Sequence, residues 1–283
     1  MEIRPSDIDG YGHVNNSQYV AFIQHALART LVQAGFNWDT TWDGRTIWRL
    51  VELAIEYRQP AVYGDRLDVK VWLEGPDPIT PCFGFEILRQ AGQGSSGSDL
   101  SLVRATGSWQ QVNRESGQPV PQPKDMLESL PSAKGNSPRQ FAIPPDQPQH
   151  RRFTWQHRVG VHEIGPDQHA QPLAVYNWLE EALFDACDQA GWTLERRLAA
   201  DTLVLQTRHD ARFFSYPSAG ETIQVISRVV EYRRLRGSWM LDLLRSEDGA
   251  PLVRDISTGV FLDLRGKPAP PPAEMISDIQ GSN

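Results

Sequence analysis

The stretch from Ser6 to Tyr19 reads Ser-Asp-Ile-Asp-Gly-Tyr-Gly-His-Val-Asn-Asn-Ser-Gln-Tyr. It joins an acidic, glycine-containing turn to an amphipathic pattern that predicts a helix from Asn16 to Ala34. A helix that begins here directs unpaired backbone N–H groups and a partial positive charge at the turn. A carboxylate beside such a helix end can act as base or nucleophile on a carbonyl that the helix end polarises. The stretch is therefore the best active-site candidate in the chain.

The segment Asp9-Gly-Tyr-Gly-His-Val-Asn-Asn-x-x-Tyr19 resembles the signature of hotdog-fold thioesterases, the group of 4-hydroxybenzoyl-CoA and acyl-ACP thioesterases. The resemblance implies that Asp9 is the nucleophile or general base and that His13 belongs to the catalytic network. It also implies that the N–H groups around Asn16 form an oxyanion hole. Further substrate contacts are expected at four residues of the same stretch: Tyr11, Asn15, Ser17 and Tyr19.

Each of these residues also has a structural interpretation. Asp9 suits a turn or a helix cap, and either Asn15 or Asn16 can cap the helix. His13 can orient Asp9, bind substrate, or fix the turn through a backbone hydrogen bond. Asp7 is expected to point to the other side of an extended segment and to be structural.

The strand that contains Glu56 resembles the Leu-Glu-Tyr-Arg strand of acyl-ACP thioesterases, and Glu56 is a further candidate for substrate contact. The catalytic Glu proposed in that family lies four positions later, which corresponds to Pro60, or to Gln59 with a shift of one. Gln24 stands where many relatives have an acidic residue on the helix. The family's full catalytic network therefore does not carry over to this chain.

Alternating apolar residues after the helix predict four strands, at 51–56, 67–73, 83–88 and 102–112. Residues 117–149 are rich in proline with no apolar period, which predicts a linker. The pattern then restarts: a strand at 152–161, a turn at 162–169 and a helix at 172–190. Chain positions 156 residues apart match, as His13 does with His169, and the offset falls to 150 beyond a glycine- and serine-rich loop.

This tandem repeat predicts an α+β protein with two tandem hotdog folds, each a curled antiparallel sheet around a long helix. The two folds are expected to form an intrachain pseudo-dimer. The expected domains are 1–116, a linker at 117–149, a second hotdog at 150–270 and a flexible tail at 271–283.

The second copy does not keep the acidic turn. Gly165 stands at the position of Asp9, and Gln171-Pro172 replaces the two asparagines. We therefore expect one active site, built from the first turn. An alternative, left open at this point, is that Glu163 or Asp167 serves a second site.

Composition excludes several classes of function. The chain has a net charge of −7, which argues against nucleic acid as a partner. Cys82 and Cys187 have no metal-binding spacing and are expected to be buried thiols, and the histidines show no metal pattern either. No signal peptide or membrane span is expected, so the predicted location is cytoplasmic. The basic run from Arg228 to Arg236 suits either a CoA phosphate or acyl carrier protein site, or a solvated sheet rim.

These observations predict a thioesterase that hydrolyses an acyl-CoA or acyl-ACP without a metal or cofactor. A homo-oligomer of double-hotdog chains is compatible with this interpretation. The alternatives are a non-catalytic acyl- or CoA-binding or scaffold protein and a hotdog hydratase. The hydratase is disfavoured because its Asp and His lie five apart around a proline, whereas Asp9 and His13 lie four apart without one.

Overall fold

The computed structural model describes residues 1–36, 38, 44–91, 99–132, 138 and 150–281. These residues group into two compact units. The first is Met1–Gln140 with Gly165–Asp167, and the second is Phe141–Ile164 with Gln168–Asn283. The sequence-based domain boundaries stay predictions.

The first unit is one long helix packed against a four-stranded antiparallel sheet, as predicted. Helix α1 is Asn16–Gln33, and the sheet order is β2-β3-β4-β1. The strands are β1 Thr46–Tyr57, β2 Leu67–Gly75, β3 Cys82–Arg89 and β4 Leu100–Asn113.

Helix α1 forms because its apolar residues recur at helical spacing and one face is buried. The buried residues include Tyr19, Phe22, Ile23, Leu27 and Leu31. Each large apolar side chain removed from water stabilises the fold by about 1.5–3 kcal/mol. The helix ends before Gly35, whose φ of 87° is a left-handed conformation that glycine adopts without strain.

The first part of the predicted linker packs onto the first unit. Residues Lys124–Glu128 form the short helix α2, and Leu127 and Leu130 are buried. The N–H of Leu73 donates to the carbonyl of Pro131 at 2.7 Å, which extends the contact. Isolated leucines between prolines carry no periodic signal, so the sequence pattern did not reveal this packing. Residues 133–137 and 139–149 of the predicted linker lie outside the described part of the chain.

The second unit repeats the plan with a five-stranded antiparallel sheet in the order β6-β9-β8-β7-β5. Helix α3, Pro172–Gln189, is its long helix, and the short helix α4, Leu194–Ala199, follows. The strands are β5 Phe153–Arg158, β6 Leu203–Phe213, β7 Thr222–Arg233, β8 Arg236–Arg245 and β9 Pro251–Leu262.

The elements confirm the tandem repeat at the predicted offset. Helices α1 and α3 differ by 156 residues at both ends. The same offset relates two 3₁₀ turns, Pro5–Asp7 and Val161–Glu163. It also relates two isolated β-bridges, which join Ile8 to Val14 and Ile164 to Ala170.

The predicted flexible tail is wrong for residues 273–280. These residues form helix α5, Ala273–Gln280. Met275 and Ile279 are buried in a cluster with Phe153 and Trp192, and this burial holds the helix in place. None of the helices in the described ranges is long and apolar enough to cross a membrane.

Candidate active site

Asp9 forms the turn that precedes helix α1. Its N–H donates to the carbonyl of His13 at 2.8 Å. Its Oδ1 accepts hydrogen bonds from the N–H of Tyr11 at 2.8 Å and of His13 at 3.2 Å. Gly12 completes the turn with a φ of 82°. The carboxylate is half-buried, and its Oδ2 has no hydrogen-bond partner among the described residues. Oδ1 of Asp9 therefore stabilises the turn, and Oδ2 remains available to a ligand.

The start of α1 leaves the backbone N–H of Asn16 without an acceptor among the described residues. Asn15 is the N-cap, and its Oδ1 accepts from the N–H of Ser17 at 2.8 Å and from its hydroxyl at 2.7 Å. The N–H of Gln18 donates to the carbonyl of Asn15 at 3.0 Å. In the described part of the chain, the N–H of Asn16 has no acceptor. Asn16 is therefore the oxyanion-hole candidate, through its backbone, whereas the Ser17 N–H is already used.

His13 and Tyr11 present their side chains at this turn. The backbone of His13 bonds to Asp9, while its half-buried imidazole has no hydrogen bond to another described residue. Tyr11 is 51% exposed. Both side chains therefore remain candidates for contact with a substrate.

Tyr19 lies inside the unit, so a substrate can contact it only if the site extends into the core. It is 2% exposed, and its hydroxyl accepts a hydrogen bond from the N–H of Ala61 at 3.2 Å. Burial, aided by the nearby carboxylates of Asp65 and Asp9, raises the pKa of Tyr19 to about 12. Tyr19 therefore stays neutral and serves as a fixed hydrogen-bonding group.

The structure does not bring Glu56 to the turn. Glu56 pairs across the sheet with Arg104, whose Nε donates to Glu86 at 3.0 Å. The next residue, Tyr57, contacts the helix start, and successive strand residues point to opposite faces. Glu56 therefore lies on the strand face opposite to the helix start, and its contact with substrate stays a prediction.

Asp7 is a structural carboxylate, as the sequence predicts. It is 1% exposed, and Oδ2 accepts from the N–H of Arg4 at 2.8 Å. Its Oδ1 accepts from the guanidinium of the same Arg4 at 2.9 Å. The carbonyl of Asp7 also accepts from the N–H of Asn15 at 2.9 Å, which fixes the turn against the helix cap.

The second copy holds its acidic residues differently. Glu163 accepts hydrogen bonds from the N–H of Gly160 at 2.6 Å and from the indole of Trp178 at 2.7 Å, and it lies 2.8 Å from His157 Nε2. Burial alone would raise the pKa of Glu163, but these hydrogen bonds outweigh it and lower the pKa. Asp167, grouped with the first unit, pairs with Arg49 at 3.3 Å. These partners favour structural roles for both carboxylates.

The basic run in the second unit is partly neutralised. Arg228 is 1% exposed, and its Nη1 lies 2.8 Å from Oδ2 of Asp242. Arg233 pairs with Glu231 at 2.7 Å. Arg228 is therefore a buried structural cation, which favours the sheet interpretation of this run over a phosphate site.

Sequence reasoning did not single out Tyr57 and Ala61, which border the turn. The Tyr57 hydroxyl donates to the carbonyl of Asn16 at 3.2 Å, and the carbonyl of Ala61 accepts from the N–H of Val14 at 2.8 Å. The repeat contained a signal for them, because the two copies differ here: Phe213 stands at the position of Tyr57, and Pro217 stands at the position of Ala61.

The first unit is similar in sequence to known proteins. Residues 3–130 match the sequence profile of the thioesterase-like superfamily. YneP of Bacillus subtilis (strain 168), named as a candidate acyl-CoA thioesterase, is 24% identical over 120 residues, which span 42% of this chain and 82% of that protein.

Two solved structures match more than nine tenths of the chain. A candidate oleoyl thioesterase from Lactobacillus plantarum has a TM-score of 0.71 at 12% identity, with 93% of each chain covered. An acyl-ACP thioesterase from Bacteroides thetaiotaomicron VPI-5482 has a TM-score of 0.67 at 12% identity, covering 92% of this chain and 95% of that one. At such identities the likeness establishes the fold, and it confirms the predicted tandem hotdog folds. Residues 3–130 are therefore similar to the thioesterase-like superfamily, and the chain carries two tandem hotdog folds.

Proposed function

We propose that the chain hydrolyses the thioester of an acyl-CoA or acyl-ACP at the turn between Asp9 and Asn16. One observation carries the proposal: a half-buried carboxylate presents Oδ2 beside a helix start at which the Asn16 N–H has no acceptor. A base or nucleophile next to a preorganised donor is what acyl transfer requires.

In the proposed reaction the thioester carbonyl oxygen accepts a hydrogen bond from the Asn16 N–H. The positive end of α1 stabilises the negative charge that develops on this oxygen. Asp9 either takes a proton from a water that attacks the carbonyl carbon, or attacks this carbon itself and forms a mixed anhydride that water then hydrolyses. In both routes the C–S bond breaks and the thiolate leaves. In this proposal the imidazole of His13 binds the substrate or the attacking water.

The substrate class follows from the turn and from the names of similar proteins. YneP is named as a candidate acyl-CoA thioesterase, and the Bacteroides thetaiotaomicron structure is named as an acyl-ACP thioesterase. Tyr11 is half-exposed in the turn and is the proposed contact for the thioester arm that the two substrates share. Both carriers therefore belong in the test.

The test is Asp9→Asn against a panel of acyl-CoA and acyl-ACP substrates. Asparagine keeps an Oδ1 acceptor for the Tyr11 and His13 N–H groups, so the turn is retained while the base is lost. We expect kcat/KM to fall by at least about 100-fold. The matched control is Asp77→Asn, because Oδ1 of Asp77 accepts from the N–H groups of Ile79 and Thr80, both at 2.8 Å, in an exposed turn.

Full activity of Asp9→Asn would refute the role of Asp9. Binding of acyl-CoA by the wild-type chain without cleavage of any thioester would instead favour the non-catalytic acyl-binding function.

A further inference from the structure

We propose that Tyr57 is a positioning residue that holds Asn16, the oxyanion donor, in place for catalysis. The inference rests on the proposed function and adds a residue to its machinery. Tyr57 ends strand β1, and its hydroxyl donates to the carbonyl of Asn16 at 3.2 Å. The sheet thereby holds the residue whose N–H faces the substrate carbonyl.

A second hydroxyl braces the same region. The ring of Tyr57 lies 5.8 Å from that of Tyr19, at an interplanar angle of 54°. The Tyr19 hydroxyl accepts from the N–H of Ala61 at 3.2 Å, and the Ala61 carbonyl accepts from the N–H of Val14 at 2.8 Å. Helix start, turn and the loop after β1 are thus tied together by two tyrosine hydroxyls and one backbone bond.

The second copy shows which of these hydrogen bonds the turn needs in order to fold. The backbone bond is kept there, from the N–H of Ala170 to the carbonyl of Pro217 at 2.8 Å. The hydroxyls are not kept, because Phe213 replaces Tyr57 and Val175 replaces Tyr19. Pro217 replaces Ala61, and proline has no N–H that could donate as the Ala61 N–H does to the Tyr19 hydroxyl.

The two tyrosine hydroxyls are therefore present in the unit that has the Asp9 carboxylate and absent from the unit that lacks it. A hotdog turn and helix start form without them in the second unit, so folding alone does not explain their presence in the first. Precise placement of a donor does explain it, because a small misplacement of a catalytic group lowers the rate of the chemical step.

The test is Tyr57→Phe, the residue that the second copy has at this position. We expect kcat to fall by about 10-fold with KM nearly unchanged, since the lost contact acts on the donor to the transition state. The matched control is Tyr232→Phe in the second unit, whose hydroxyl also donates to a backbone carbonyl, that of Arg234, at 3.2 Å. This control is expected to keep the wild-type kcat.

A second measurement does not depend on activity. Amide hydrogen exchange at Val20, one helical turn after Asn16, is expected to be faster in Tyr57→Phe than in wild type and unchanged in Tyr232→Phe. If the chain cleaves no thioester, the proposed function fails, and this exchange result still decides whether Tyr57 positions the helix start. Unchanged exchange at Val20 would overturn the proposal, as would an equal loss of kcat in the two variants.

Discussion

Nδ1 of His209 lies 2.7 Å from Oδ2 of Asp255, and both side chains are completely buried in the second unit. Nε2 of His209 lies 3.0 Å from Oε1 of Gln206, so both ring nitrogens face an oxygen. Burial alone lowers the pKa of His209, but the carboxylate of Asp255, with those of Glu180 and Asp210 farther away, outweighs it and raises the pKa. The second unit therefore contains a completely buried histidine–carboxylate pair, in which the carboxylate favours the protonated imidazole.

This pair makes the stability of the protein depend on pH. Because the pKa of His209 is raised in the folded state, the stabilisation is complete below the ordinary histidine pKa of about 6.5 and is lost as the pH rises through the folded value. We expect the thermal unfolding temperature to fall as the pH rises above the ordinary histidine pKa of about 6.5.

The control for this prediction comes from the first unit, which has Leu53 and Ala105 at the equivalent positions. The double variant His209→Leu/Asp255→Ala is expected to lose this pH dependence. Equal slopes in calorimetric scans of the double variant and wild type would show that His209 is not the titrating group.

Replacing Asn15 by alanine is expected to destabilise the first unit. The change removes the cap of α1 and leaves the fully buried Ser17 hydroxyl without its acceptor. The free energy of unfolding should fall by about 1–3 kcal/mol, measured by urea denaturation. Asn15→Asp keeps an acceptor oxygen and should cost much less; equal losses for the two variants would contradict the capping role.

Helix α5 is expected to contribute to the stability of the second unit. Met275 is 1% exposed, so Met275→Ala should lower the free energy of unfolding by about 2–5 kcal/mol. The neighbouring Glu274→Ala alters an exposed residue and serves as the control. A Met275→Ala variant as stable as wild type in denaturant titrations would mean that the end of the chain is a loose tail after all.

Cys187 is expected to resist alkylation in the native protein. Burial raises its pKa to about 11, and only the thiolate is a strong nucleophile. In a Cys82→Ala background, labelling by iodoacetamide at pH 8 should be slow in the folded protein and fast in urea, as followed by mass spectrometry. Rapid labelling without denaturant would show that Cys187 is accessible and reactive.

Much of the local structure was predictable from residue patterns. The spacing of apolar residues predicts α1, and the alternation after it predicts four strands, because both periods report which face is buried. The offset of 156 residues predicts the second unit, since a repeated pattern encodes a repeated fold. The acidic turn at Asp9 was recognisable because turn, cap and helix start are neighbours in the chain.

Other features depend on residues that are distant in the chain. Tyr57 reaches Asn16 across 41 positions, and His209 reaches Asp255 across 46. No local pattern encodes such pairs, because they follow from strand register and from the packing of a helix on its sheet. Helix α5 was missed for a related reason: its apolar residues gain a role only where a core is available to receive them.

By itself, the sequence determined the chemistry of the turn, in the sense of its residue types, together with the amphipathic helices and the duplication. Each of these features is encoded by neighbouring residues or by their repetition. Only the tertiary structure decided how that chemistry is presented. A hydrogen bond occupies the Ser17 N–H, while the Asn16 N–H has no acceptor among the described residues. Strand alternation turns Glu56 away from the helix start. These outcomes depend on which groups are already bonded, and a backbone donor becomes available only when folding leaves it without a partner.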